Sequence, residues 1–386
     1  MKKLLVALGI SLAATASVST VTAQATELVE DGKSAILIEA STGEILYEKD
    51  AHQQLAPASM TKMMSMYLIL EAINDESLAW DEVIRVSEHA ASLGGSQIYL
   101  KPGEKMTVED LFKSVAIASA NDSVTALAER VAGSEEAFVE LMNEKAKEFG
   151  MTNTTFKNPT GLTIEGHITT AYDMSLLARE LLKFEEITTY TSMYEDYIRE
   201  DTDSPFWLVT TNKLVKYVDG VDGLKTGMTE EAGYCLTATA KRQNMRVITV
   251  VMGGSTSAIR NAETTQLIEY AYGQYELAPQ LATGDIVETK YNYLAKDQTY
   301  DVVLKDDLNV LKKKTETLLD GQYELTYHDE IELPIEAGEE IGELTYYYGG
   351  KEYQSIPVTV SETVEKNSFI GLFTHVLSQL LFGEDA

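Results

Sequence analysis

Ser59 and Lys62 are the first pair in this 386-residue chain whose types and spacing suit chemistry. They stand in Pro57-Ala58-Ser59-Met60-Thr61-Lys62, just ahead of an apolar run over residues 63–70. A proline before a periodic apolar run suits the first turn of a helix, where its missing N–H costs nothing. The pattern therefore predicts Ser59 and Lys62 one turn apart on one helix face. A serine hydroxyl is a weak nucleophile until a base takes its proton. Lysine can be that base if burial or a neighbouring cation lowers its pKa. The free N–H groups of a helix start would favour a developing oxyanion. The plain alternative is a helix start with a solvated lysine, since about one or two Ser-x-x-Lys spacings arise by chance at this length.

Two further clusters could complete such a site. Lys225-Thr226-Gly227, in Val221-Asp222-Gly223-Leu224-Lys225-Thr226-Gly227, precedes strand-like runs at residues 234–240 and 246–252. At a strand edge the lysine supplies positive charge, the threonine hydroxyl can donate to a carboxylate, and the glycine lets a substrate backbone approach. The same tripeptide also reads as a polar edge strand, kept from aggregating by its lysine. Ser119 and Asn121 fall in Ala118-Ser119-Ala120-Asn121-Asp122-Ser123, small and polar residues at a corner between two helices. Turn and cap roles compete with chemistry there. His167 has no second histidine or carboxylate cluster of metal-ligand spacing beside it, so a structural hydrogen bond is the expectation. Cys235, the single cysteine, sits in an alternating run and is expected in the core.

The elements that must position these residues come next. Residues 34–40 and 44–48 flank Ser41-Thr42-Gly43 and predict a hairpin that delivers the chain to Ser59. Residues 72–132 read as mostly helical, with Thr107 capping a helix that carries Leu111, Phe112, Val115 and Ala116. Helices are also predicted over residues 135–149 and 171–182, with a turn-rich loop between them at 158–170. From about Tyr275 the pattern changes to short alternating runs. Residues 302–304, 323–327, 343–348 and 356–360 are strand candidates, with Gly338, Gly342, Gly349 and Gly350 at turns. The tyrosines of this part are expected to pack between strands rather than bind a ligand. Over residues 367–382, Phe369, Ile370, Leu372, Phe373, Val376, Leu377, Leu380, Leu381 and Phe382 recur at helical spacing. The stripe is too short to span a bilayer but suits a helix lying in the interface. A core or dimerisation helix competes, because Lys366 is the one basic residue nearby.

With 44% hydrophobic and 24% charged residues, the chain has the composition of a globular protein, long enough for two or three domains. Its formal net charge of −30, from 31 basic against 61 acidic residues, leaves no basic footprint for nucleic acid. Residues 1–25 read as a secretory signal: Lys2 and Lys3, a short apolar stretch, then small residues around Ala23 and Ala25. A mature chain outside the cytoplasm is expected, with a net charge of −32 once Lys2 and Lys3 are removed. One cysteine allows no intrachain disulfide, so stability rests on burial.

The ordered set Ser59-x-x-Lys62, Ser119-x-Asn121 and Lys225-Thr226-Gly227 resembles the serine D-alanyl-D-alanine carboxypeptidases, the low-molecular-mass penicillin-binding proteins of the bacterial cell wall. The surrounding words resemble that family too: Leu55-Ala56-Pro57-Ala58-Ser59-Met60-Thr61-Lys62-Met63, Gly161-Leu162 with Gly166-His167, Thr170-Ala171-Tyr172-Asp173-Met174, and Asp222-Gly223-Leu224-Lys225-Thr226-Gly227. The resemblance implies an α+β fold in three parts. These are a penicillin-binding/β-lactamase-like catalytic domain with helices around an antiparallel sheet (residues 26–276), a small all-β, sandwich-like pedestal (277–364) and an amphipathic membrane-associating helix (365–386). Residue by residue, it makes Ser59 the acylated nucleophile, Lys62 its base and Ser119 a proton relay. Asn121 would hydrogen-bond the substrate peptide, Lys225 hold positive potential, Gly227 give close approach, and Thr226 with Arg260 hold the terminal carboxylate. The backbone N–H groups of Ser59 and Met228 would form the oxyanion hole. Several relatives carry histidine where Met228 stands, so the backbone role alone carries over at that position.

The implied reaction removes the terminal D-alanine from peptidoglycan stem peptides ending in D-Ala-D-Ala, through an acyl-enzyme on Ser59. β-Lactams would acylate the same serine and leave slowly. The scheme requires no metal or organic cofactor. It places the protein at the outer face of the cytoplasmic membrane, with the C-terminal helix at the membrane surface. Three rivals share the motifs. A class A β-lactamase uses a glutamate-activated water between the second and third motifs; Glu165 lies in that interval, in different surroundings. A D,D-transpeptidase differs in having an amine rather than water attack the acyl-enzyme. A weakly active wall-binding scaffold would keep the residues without the geometry.

Overall fold

The computed structural model describes residues 27–382 apart from 201, 329 and 330, so the expected signal segment lies outside the described residues. Strands β1 (Ser34–Glu39) and β2 (Ile45–Lys49) pair antiparallel across the Ser41-Thr42-Gly43 turn, as the sequence predicts. A 3-10 turn, Ala58–Thr61, then precedes α1 (Lys62–Asn74). This moves the helix start expected near Pro57: Ser59 lies on the tighter turn, and Lys62 opens the α-helix. Their side chains stay together because residues three apart eclipse in a 3-10 turn. The first nine residues of α1, Lys62 included, are all buried. A helix apolar all round belongs inside the fold.

Residues 72–132 are less helical than predicted. Helices α2 (Glu88–Ser92), α3 (Val108–Ala118) and α4 (Asn121–Ala132) share this stretch with a short antiparallel pair, β3 (Val83–Arg85) and β4 (Lys105–Thr107). Strands of three residues are too short for alternation to show in a sequence. Thr107 caps α3 as expected, its Oγ1 accepting from the Asp110 N–H at 3.2 Å. Helices α5 (Glu135–Glu148) and α6 (Ala171–Leu181) begin at the side-chain caps Ser134 and Thr170. Helix α7 (Glu186–Thr191), the hairpin of β5 (Glu195–Ile198) with β6 (Phe206–Val209), and α8 (Leu214–Tyr217) follow.

The main sheet is antiparallel in the order β2-β1-β9-β8-β7, completed by β7 (Val221–Thr229), β8 (Gly233–Arg242) and β9 (Met245–Gly254). Ile36, Ile38, Ile248 and Val250 pack with α1, α3, α4 and α6, whereas Ala35, Leu37, Val247 and Val251 pack with α9 (Ser257–Gln274). Alternate residues thus serve two cores, and strands covered on both faces read as continuous apolar runs. Strand β7 is the sheet edge and lies against the Ala58–Thr61 turn, which brings Lys225-Thr226-Gly227 to Ser59.

After α9 the chain passes directly into β10 (Tyr275–Leu281), which pairs with β13 (Leu308–Lys313). A five-stranded sheet has the order β11-β12-β16-β15-β14, built from β11 (Ile286–Tyr291), β12 (Thr299–Leu304), β14 (Gln322–Tyr327), β15 (Gly342–Tyr348) and β16 (Lys351–Val360). The sequence candidates correspond to β12, β14, β15 and β16. Strands β10, β11 and β13 are additional, their charged residues and Pro279 masking the alternation. Val302, Leu304, Val310, Leu344, Tyr346 and Val358 share one core. Helix α10 (Phe369–Phe382) ends the described chain. Helices around an antiparallel sheet, followed by an all-β part, make the α+β architecture that the resemblance implies.

Candidate active site

Backbone closes on Ser59 from two sides. Gly161, at φ +80°, comes so near that a Cβ there would lie 1.8 Å from the Ala58 carbonyl oxygen and 2.9 Å from the Ser59 nitrogen. A Cβ at Gly227 of β7 would lie 2.9 Å from the Pro57 oxygen and 3.2 Å from the Ser59 nitrogen. Such approaches require glycine. Ala58 between them has φ +48°, a strained value for a residue with a Cβ. The 158–170 loop is pinned to the helix by Ser65 Oγ donating to the Pro159 carbonyl at 2.8 Å. A 2.9 Å hydrogen bond between Thr61 Oγ1 and His167 Nε2 adds to this. Within the loop, Asn158 Oδ1 accepts from the Thr160 and Gly161 N–H groups, the self-bonding that suits asparagine to turns.

Lys62 is fully buried. Its Nζ has Asn121 Oδ1 and the Thr160 carbonyl oxygen at 2.6 Å each, and Ser59 Oγ at 3.2 Å. Burial first, then repulsion from Lys225, holds its pKa well below the usual lysine value, while the Asp122 carboxylate opposes. A neutral amine has two N–H donors and one lone pair. The two carbonyl oxygens can only accept and so take both donors, leaving the lone pair for the Ser59 hydroxyl. The arrangement suits a lysine that receives the Ser59 proton.

Asn121 opens α4. Its backbone N–H donates to the Ser96 carbonyl and its Nδ2 to the Gly94 carbonyl, both at 2.7 Å. One Nδ2 hydrogen remains for a substrate. The neighbouring Asp122 carboxylate is fully buried and accepts from the Ile98 and Leu100 N–H groups, tying residues 93–100 to the site. Ser119 is the left-handed residue between α3 and α4, at φ +64°. Its hydroxyl is buried and, among the described residues, has no hydrogen-bond partner.

Lys225 is likewise buried, and its Nζ donates to the Thr226 carbonyl at 3.3 Å. Burial, with the Arg260 guanidinium nearby, brings its pKa down to about 7. Thr226 Oγ1 donates to Thr211 Oγ1 at 2.7 Å. Arg260, on α9, donates through Nη1 to the Cys235 carbonyl at 3.1 Å and through Nε and Nη2 to Asn261 Oδ1. Cys235 stands opposite Gly227 in the β7–β8 register, so Arg260 reaches β7 through β8. The Met228 side chain is exposed.

Among the residues singled out in the sequence, Ser59, Lys62 and Asn121 are therefore in direct contact, Gly227 packs on them, and Lys225 acts on Lys62 by charge. Thr226 and Arg260 are bonded to Thr211, Cys235 and Asn261 instead. Cys235 lies in the core, where burial pushes its thiol up to about 11. His167 is buried on Thr61, and Glu165 is exposed. Three participants had no signal in the sequence. Thr160 acts through its carbonyl, which no residue type announces; Thr211 meets Thr226 through the fold; Asp122 stands beside Asn121 with no cation nearby in the chain.

Residues 19–256 match the D-alanyl-D-alanine carboxypeptidase family, peptidase S11, and residues 275–366 match the C-terminal domain of penicillin-binding protein 5. The D-alanyl-D-alanine carboxypeptidase DacF of Bacillus subtilis is 49% identical over 344 residues, covering 89% of this chain and 88% of that one. Penicillin-binding protein 5 of Haemophilus influenzae has a similar structure, with a TM-score of 0.69 at 26% identity, across 87% of this chain and 98% of that chain. Penicillin-binding protein D2 of Listeria monocytogenes, solved in an ampicillin-bound form, is 34% identical with a TM-score of 0.57, across 63% of this chain and 98% of its own. With a family match over most of its length and a relative at 49% identity, the chain belongs to the D-alanyl-D-alanine carboxypeptidase family.

Proposed function

We propose that the protein removes the terminal D-alanine from peptidoglycan stem peptides ending in D-Ala-D-Ala, by way of an ester on Ser59. The observation that carries this reading is the buried Lys62 amine 3.2 Å from Ser59 Oγ, held there by Asn121 Oδ1 and the Thr160 carbonyl oxygen at 2.6 Å each. Ser59 Oγ bonds to the carbonyl carbon of the penultimate residue as its proton passes to Lys62 Nζ. The oxyanion forms between the backbone N–H groups of Ser59 and Met228, with Gly227 leaving room for the substrate backbone. The C–N bond then breaks, and the leaving nitrogen takes its proton through Ser119, whose hydroxyl has no competing partner. Water attacks the ester, gives its proton to the same base, and Ser59 Oγ departs as a hydroxyl. Lys225 and Arg260 supply positive potential for the terminal carboxylate, and the Thr226 hydroxyl turns to it from Thr211. Asn121 offers its remaining N–H to the peptide. β-Lactams open on the same serine.

Export and membrane attachment belong to the same proposal. Residues 1–25 have the make-up of a secretory signal. On α10, Phe369, Ile370, Phe373 and Leu377 are exposed at helical spacing, an apolar face suited to the membrane interface. Among the described residues, no helix is long and apolar enough to cross a membrane.

The test is D-alanine release from a diacyl-Lys-D-Ala-D-Ala tripeptide, with Ser59→Ala as control. Release that disappears in the control is the expected result. Folded protein that releases no D-alanine would sink the reading.

A further inference from the structure

Two residues beside Ser59 carry exposed apolar side chains. Gly161 and Gly227 press their backbones on the Ser59 turn, and the residues that follow them, Leu162 and Met228, are 39% and 57% exposed. Ile164, two residues further along the loop from Leu162, is 50% exposed. A narrow crevice beside Ala58, of about 10 Å³, joins the two segments: Leu162 and Ile164 line it from the loop, Thr229 and Glu231 from the β7–β8 turn. That is room for about one water molecule, so the groups around it meet as a continuous surface. Leu162 Cδ2 is 3.9 Å, and Asn121 Nδ2 2.9 Å, from the point that a Cβ on Gly95 would occupy, so this surface adjoins the catalytic amide.

Both segments are fixed. Asn158 Nδ2 donates to the Leu162 carbonyl at 2.9 Å, and the Ile164 carbonyl accepts from the His167 N–H at 3.1 Å. Thr229 Oγ1 accepts from the Ala232 N–H at 3.1 Å, and Ala232 is buried, which holds the turn that carries Glu230 and Glu231. Both carboxylates are exposed and, among the described residues, neither has an ion-pair partner. An apolar surface that ends at a free carboxylate matches a ligand that is aliphatic along its length and cationic at its tip.

We infer that Leu162, Ile164 and Glu231 form a specificity site for a diamino acid just before D-Ala-D-Ala in the stem peptide, its aliphatic stem on Leu162 and Ile164 and its ammonium on Glu231. The inference rests on the carboxypeptidase reading and names the residue that the substrate carries at this position. Direction along β7 selects it. With the terminal carboxylate at Thr226 and the scissile oxygen at the Met228 N–H, the peptide runs toward the end of β7. The residue before D-Ala-D-Ala then lies one Cα step, about 3.8 Å, beyond the reacting one. There it meets Thr229 and the turn that follows, with Glu231 on the side shared with Leu162 and Ile164.

Four Nα-acetyl tripeptides ending in D-Ala-D-Ala test it, with lysine, ε-acetylated lysine, norleucine or alanine in the first position. The free-amine lysine substrate is expected to have a kcat/KM about fivefold above those of its acetylated and norleucine counterparts at low salt, the upper end for an exposed ion pair. The preference shrinks at about 0.5 M salt. Glu231→Gln abolishes it and Glu231→Lys reverses it, whereas Ile164→Ser lowers the norleucine-to-alanine ratio about threefold. Each ratio is taken within one protein, so a loss of folded enzyme cancels. No preference in the unmodified chain, a preference that survives in Glu231→Gln, or an unchanged norleucine ratio in Ile164→Ser overturns the inference. Ser59→Ala protein provides a readout independent of catalysis, since NMR titration with the same peptides gives the preference as a ratio of Kd values. Equal Kd values for free and acetylated lysine overturn the inference whatever the turnover. The expected Kd ratio without D-alanine release from the unmodified chain would sink the carboxypeptidase reading alone.

Discussion

Around β7 the interior of the molecule holds ionisable side chains: Lys62, Asp122, Lys225, Arg260 and Glu263 are all buried. Beyond Tyr275, the buried polar side chain among the described residues is Thr359, and the rest of that core is aliphatic apart from Tyr346. Both regions are built from antiparallel strands with alternate residues turned inward, so strand physics does not distinguish them. Desolvating an ion costs several kcal/mol unless partners compensate. The first region carries that cost beside a large apolar core that includes α1, α3, α4 and α6. Among the described residues the second region buries no charged side chain, and packing holds it together. The two should therefore respond oppositely to substitution, one in rate and the other in stability.

Lys62→Met is the sharpest way to break this contrast. Loss of the proton acceptor should slow D-alanine release by about 10²–10⁴-fold, the usual worth of a positioned base. Stability should move far less, by about 2 kcal/mol or under. Relief of the cost of burying a polar amine opposes the loss of hydrogen bonds to Asn121 Oδ1 and the Thr160 carbonyl. Single-turnover kinetics and urea unfolding measure the two quantities. A variant that lost most of its stability would make Lys62 a structural residue and collapse the distinction.

Tyr346→Ala is the converse experiment. The ring is fully buried, with Tyr323 at 5.1 Å and Tyr353 at 6.3 Å, and it presses so close to Gly321 that no Cβ would fit there. Its removal should cost about 3–5 kcal/mol of stability in the β10–β16 region, as large aromatic truncations do. D-alanine release by the folded protein should stay within about twofold of the original. A proportional fall in rate would show instead that this region helps to shape the catalytic cleft.

The contrast also governs what could be read from the sequence. Ser59, Lys62, Asn121 and Lys225 were legible because their side-chain types, spacing and order are distinctive. The 3-10 turn at Ala58–Thr61 was not, because its shape comes from Gly161 and Gly227 pressing on it from distant parts of the chain. Thr160 and Thr211 were hidden for the same reason: one acts through its backbone, and the other meets its partner across the fold. In the all-β part, β12, β14, β15 and β16 showed in their β-branched and aromatic runs. Strands β11 and β13 carry lysines and a glutamate on their solvated residues, and β10 contains Pro279, so charge and proline masked their periodicity.

Stability against pH gives the finest cut between the regions, through His167. Its ring lies buried against Phe156, its Nε2 bonds Thr61 Oγ1, and Nδ1 has no partner among the described residues. Burial, helped by Lys157, pushes its pKa down to about 4 from an ordinary 6.5. Between these values the unfolded chain binds a proton that the folded chain does not. The contribution of His167 to stability is therefore complete above about pH 6.5 and is lost as the pH falls toward 4. The gap corresponds to about 3 kcal/mol at most. His167→Gln keeps an amide near the Nε2 position without the titration. Urea unfolding at pH 7 and pH 4.5 should thus show a smaller loss of stability in the variant, by about 2 kcal/mol. Parallel losses in the two chains would mean that the folded protein accommodates a charged His167, and that the catalytic loop is no more sensitive to acid than the β10–β16 region.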